Sequence, residues 1–190
     1  MVSAISHTWG TESHERLLNF PCDHLIKSFD GVYHRGITIM AHPEIIFRWL
    51  CQMRIAPYSY DWIDNSGHKS PRDWTPETDD LSIGQEVMKI FKLVHFEHNK
   101  DLTIRINRNT SAYRIFGDVA MSYIIVPVSA GGCRLLVKFV CQYPRGIMGL
   151  LMRLMLPWGD LIMMRRQLLN FKQLSEKMQG EIGAKGMKKL

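Results

Sequence analysis

Five consecutive stretches between Glu86 and Gln142 read as strands, joined by connections too short for a crossover helix. In CRLLVKFVC, Cys133, Leu135, Val137, Phe139 and Cys141 share one parity, with Arg134 and Lys138 on the other. In LTIRIN, Leu102, Ile104 and Ile106 alternate with Thr103, Arg105 and Asn107. Strict alternation over short connections means an antiparallel meander with one face on a core. The pattern places strands near 86–96, 101–108, 112–116, 118–128 and 132–142, with turns at EHNKD and SAGG. VYHRGITIMA (32–41) adds a strand near the start.

Two helices complete the reading. Pro43 and Glu44 suit a first helical turn, and Ile46, Phe47, Leu50 and Met53 recur at helical spacing, so a helix is expected over 43–53. A second is expected over 158–179, with Asp160 as N-cap after Pro157 and Gly159 and with Gly180 as its stop. Its stripe is Leu161, Met164, Leu168, Phe171, Ser175 and Met178, with Arg165, Arg166, Lys172, Gln173, Glu176 and Lys177 opposite. A curved sheet and one long amphipathic helix make an α+β domain in which the helix lies on the concave face. Residues 1–180 read as a single domain and 181–190 as a flexible basic tail with Lys185, Lys188 and Lys189.

The order of elements resembles the START-like helix-grip fold. The chain is similar to SRPBCC-family proteins of the polyketide cyclase/dehydrase-like group in TWGTESHER (8–16), PCD (21–23), RGITIMAHPEIIFRWLCQM (35–53), YSYDWIDN (58–65) and MMRRQLLNFKQLSE (163–176). It departs from that pattern at Cys22, at RIAP before YSYD, and in the Met- and Leu-rich GIMGLLMRLMLPWG. The resemblance implies an internal cavity for a hydrophobic molecule, its entrance near the 43–53 helix and the loop after it. Members of that superfamily carry lipids or sterols, or cyclise and dehydrate polyketides.

PYSYDWID (57–64) sits in that loop. If extended, it sends Tyr58, Tyr60 and Trp62 to one side and Ser59 and Asp61 to the other. Rings with polar tips suit a cavity wall, and they equally suit packing of the loop onto the sheet. Trp49 and Trp74 are candidates of the same kind. Arg105 offers a bidentate anchor for a carboxylate, or is simply a surface arginine. Asp61 and Asp64 are weak acid/base candidates, because spacing ties no histidine or nucleophile to them.

Cys22, Cys51, Cys133 and Cys141 lack any paired spacing and read as buried thiols. His95, Glu97, His98 and Asp101 cluster at a hairpin without the convergence a zinc site needs. No cofactor or metal is expected. MVSAISHTWGTESHE has neither a basic nor an apolar signal region, so the chain is expected in the cytoplasm. The formal charge of +6 permits an anionic partner without demanding one. The expected partner is a small hydrophobic molecule, not nucleic acid. The leading reading is a non-enzymatic or weakly catalytic binder of a small hydrophobic ligand; the alternatives are a cyclase/dehydrase-type enzyme and a peripheral membrane or lipid-transfer module. Residues 146–158 are too short to span a bilayer. They read as core, cavity lid, dimer patch or membrane contact.

Overall fold

The computed structural model describes residues 5–64, 67–129 and 131–187, with the side chains of Asp64 and of 185–187 left aside. Six strands form one antiparallel sheet: β1 (Gly31–Ile39), β2 (Glu86–Val87), β3 (Phe91–Glu97), β4 (Asp101–Ile106), β5 (Asp118–Val128) and β6 (Gly132–Gln142). Their order is β1-β6-β5-β4-β3-β2. The last strand therefore returns to pair with the first, with Tyr33 opposite Phe139 and Ile37 opposite Leu135. The helices are α1 (Ile5–Thr8), α2 (Pro43–Cys51), α3 (Asp61–Asp64), α4 (Ser111–Phe116) and α5 (Ile147–Met187).

Alternation gives the sheet two apolar faces. Tyr33, Leu93, Ile104, Met121, Val137 and Phe139 point inward, toward the Met164, Leu168, Phe171 and Leu174 face of α5. On the outer face Ala120, Leu136 and Val140 are covered by Phe20, Cys22 and Ile26. The PCD motif at 21–23 thus closes the back of the sheet, as part of a short 3-10 turn over Pro21–His24. α2 buries Ile46, Phe47 and Leu50, as its spacing predicts. All four cysteines are buried and free. The fold is the helix-grip arrangement: an antiparallel sheet gripping a long C-terminal helix.

Three elements differ from expectation. Residues 112–116 belong to a helix, not a strand. The strand expected over 86–96 is broken at Met88 and Lys89, both with positive φ, into the two-residue β2 and β3. α5 begins at Ile147, eleven residues before the expected start, and carries Pro157 in its interior. It also continues past Gly180 through Met187, so the segment read as a tail is helical that far. Ala130 of the SAGG turn and residues 188–190 lie outside the described residues.

One outer-face residue sets a pH dependence. Burial, with Lys138 and Arg16 close by, depresses the His34 imidazole to about 4. Its Nε2 has no hydrogen-bond partner among the described residues. A depressed histidine stabilises the fold fully above its unfolded value near 6.5, and that stabilisation is lost as the pH falls toward 4. Unfolding free energy is expected to drop by about 2–3 kcal/mol across that window, and His34→Gln to remove most of the drop. Identical pH profiles for parent and variant would refute the assignment.

Candidate functional site

The layer between α5 and the sheet is closed by buried polar groups as well as apolar ones. Gln167 donates from Nε2 to the Pro57 carbonyl at 2.6 Å and accepts from the Tyr123 hydroxyl at 2.9 Å. Asn170 donates to the Tyr58 carbonyl at 2.7 Å. The Gln52 amide donates to the Tyr58 hydroxyl at 2.8 Å and accepts from the Thr75 N–H at 2.9 Å. Two helix amides thus hold the PYSYD backbone while a third fixes the ring.

That clamp bends the segment away from the extended form. Tyr58 has φ +57°, a left-handed conformation that costs a non-glycine residue of order 1–3 kcal/mol. The three rings therefore part company. Tyr58 is buried between Trp49 and Phe171, with ring centroids 6.0 and 5.6 Å away. Tyr60 is half-buried, and Trp62 lies on α3 with 75% of its surface exposed. Trp49 is in the core, and half-buried Trp74 stacks under Arg48 at 4.7 Å. Asp61 accepts from the Ser70 N–H and hydroxyl, a loop-fixing role. The Asp64 side chain lies outside the described residues.

Arg105 points to the outer face, not the interior. Its Nε and Nη2 grip Asp118 at 3.0 and 2.5 Å, beside Arg108 at 2.6 Å. Burial works to raise the Asp118 carboxyl, but the two guanidiniums outweigh it and hold the group below the usual carboxylate range. His95 meets Asp101 at 3.2 Å, and no metal-binding cluster occurs among the described residues.

The larger of two described clefts has a volume of about 720 Å³ and lies elsewhere, between α4, the ends of β5 and β6, and the start of α5. The other, about 190 Å³, lies by Phe47, Arg48 and His98. Glycine permits the larger cleft: a Cβ at Gly149 would lie 1.9 Å from the Pro144 carbonyl oxygen, so α5 starts directly on the 143–146 link. Tyr113, Tyr143 and Leu150 supply apolar wall, and Arg114, Arg145 and Arg153 supply charge. Asp30 is already paired with Arg153 at 3.0 Å, and Asp118 with the arginines named above. Among the described residues Arg114 and Arg145 form no ion pair.

Behind the cleft runs a chain of buried polar groups that sequence reading missed. The Tyr143 hydroxyl hydrogen-bonds the Tyr33 hydroxyl. Burial raises Tyr143 and Cys141 to about 12 each and lifts Tyr33 well above the usual phenol range, so all three stay protonated at neutral pH. The Arg35 guanidinium lies 5.6 Å from the Tyr33 ring centroid and 2.6 Å from Asp160 on α5. Burial raises the Asp160 carboxyl to about 6, with Arg35 pulling the other way. The available signal was parity: Arg35 shares its strand face with Tyr33, Ile37 and Ile39.

No protein-family model and no curated protein sequence matches the chain. Solved structures do. A hypothetical protein of Helicobacter pylori, jhp0584, superposes with TM-score 0.55 at 13% identity, over 83% of this chain and 95% of that one. The di-domain ARO/CYC StfQ from the steffimycin biosynthetic pathway superposes with TM-score 0.51 at 9% identity, over 78% of this chain and 51% of that one. At such identities the likeness is one of fold.

Proposed function

We propose that the protein binds a small, mainly apolar molecule bearing an anionic group, in the cleft between α4, the ends of β5 and β6, and the start of α5. The carrying observation is the pair of arginines, Arg114 and Arg145, that form no ion pair among the described residues, beside the apolar surface of Tyr113, Tyr143 and Leu150. A volume of about 720 Å³ suits a drug-sized molecule, since such sites run to roughly 300–1,000 Å³. A carboxylate would find fork-shaped donors there, and the cleft's own carboxylates are already engaged.

Carriage is favoured over a cyclase/dehydrase-type reaction. General acid–base work needs a titratable group facing the ligand with a pKa near the working pH. Beside the Tyr113 phenol, the cleft offers Tyr143, held protonated by burial, and carboxylates occupied by arginines. Asp160 is not among the lining residues.

Calorimetric titration with dodecanoate and with dodecanol tests the reading. Dodecanoate is expected to bind at least about tenfold more tightly, the scale of one charge-assisted hydrogen bond. Arg145→Gln should abolish the preference and leave dodecanol binding as it was. Equal affinity for acid and alcohol, or an unaltered preference in the variant, would sink the proposal.

A further inference from the structure

The first four turns of α5 present an apolar face to solvent. Ile147, Leu150 and Leu154 are 87%, 63% and 66% exposed, and Met155, Trp158 and Ile162 continue the stripe. At 100° per residue these six fall within one sector of the helix, opposite the side that carries Met152, Asp160 and Met164 to the core. Residues 147–162 span about 24 Å. Leaving six large side chains of one face in water is costly, and a contiguous patch of this kind marks an interaction surface.

Charge identifies what covers it. Between Tyr143 and Ser175 the only acidic residue is Asp160, and it is buried against Arg35. The same stretch carries Arg145, Arg153, Arg165 and Arg166. Arg165 and Arg166 are exposed and follow directly on the apolar stripe. A second copy of this face would set Arg165 and Arg166 against like charge, with no exposed carboxylate on 143–175 to answer them. A lipid surface with anionic headgroups answers both features, and the indole of Trp158 within the stripe suits the interface. α5 is long and apolar enough by length and composition to cross a bilayer, but the Arg35–Asp160 pair pins it to the sheet, which argues against a span.

We propose that the exposed face of residues 147–162 seats the protein on a membrane containing anionic lipids. This does not depend on the ligand reading, although Leu150 belongs to both the stripe and the cleft wall. Seated this way, the cleft lies beside the lipid surface.

The test is co-sedimentation with phosphatidylcholine vesicles, with and without phosphatidylserine, at low and high salt. Binding is expected to be at least about tenfold stronger with phosphatidylserine, since each surface arginine contributes about 1 kcal/mol, and to weaken with salt. Tryptophan emission should shift to the blue on binding, and Trp158→Phe should remove that shift. The double variant Leu154→Glu with Met155→Glu touches exposed positions outside the cleft. It should keep the parent's melting temperature and lose vesicle binding about tenfold or more. Absence of parent binding to either vesicle, or equal binding by the double variant, overturns the proposal. So does a parent dimer that the double variant splits while neither protein sediments; that result assigns the face to a second copy.

Discussion

Asp160→Ala is expected to lower the unfolding free energy by about 3–5 kcal/mol, the cost of leaving one member of a buried ion pair alone. Arg35 is 0% exposed, so its guanidinium is shut off from bulk water and depends on the groups around it. Its remaining partners are neutral: the carbonyls of His34 at 3.0 Å, Ser6 at 2.9 Å and Pro157 at 3.5 Å. Its Nε has no partner even in the intact protein, among the described residues. The loss therefore measures an unpaired charge, not the worth of the pair. Replacing both members, Arg35→Met with Asp160→Leu, should recover most of the stability, because an apolar pair avoids the desolvation that the ions pay. Urea unfolding of the two variants beside the parent makes the comparison. A loss below about 1 kcal/mol for Asp160→Ala would mean that Arg35 finds solvent or another anion. Should the single variant not fold, Asp160→Asn keeps an acceptor at the same place and should cost less.

That ion pair also shows where sequence reading stops. Alternation and helical spacing depend on neighbours along the chain, so β3 to β6, α2 and the buried stripe of α5 were legible. The partner of Asp160 lies 125 residues away, and local spacing made the aspartate an N-cap instead. The same reasoning took Pro157 as a boundary, since proline removes a helical hydrogen bond. Tertiary packing overrode it. The SAYRIF segment failed differently. Its apolar residues suggested a strand, although Thr110 before it and Gly117 after it are ordinary helix brackets. The kink at Tyr58 left no trace in PYSYDWID, because Gln167 and Asn170, which impose it, come more than a hundred residues later. The cleft was illegible for the same reason: α4, the 143–146 link and α5 meet only in the folded chain.

Phe171→Ala is expected to cost about 3–5 kcal/mol, the range for removing a large aromatic from a packed core. The side chain is fully buried on the inner face of α5. Its ring neighbour Tyr58 cannot swing in to fill the void. The Tyr58 carbonyl is held by Asn170, its hydroxyl by Gln52, and Gln52 in turn by Thr75. The cost of a large-to-small change rises with the cavity that remains, so a rigid neighbour places this site toward the upper end. Phe171→Leu keeps more of the volume and should cost about 1–2 kcal/mol. Urea midpoints, with the slope of the transition unchanged, give both numbers. A second substitution separates rigidity from size: Gln52→Ala frees the Tyr58 hydroxyl, and combined with Phe171→Ala it should cost less than the sum of the two singles, because the released ring can relax into the space. Strict additivity would show that the polar clamp does not hold Tyr58 in place. An unchanged midpoint for Phe171→Ala would show that α5 does not close the core at all.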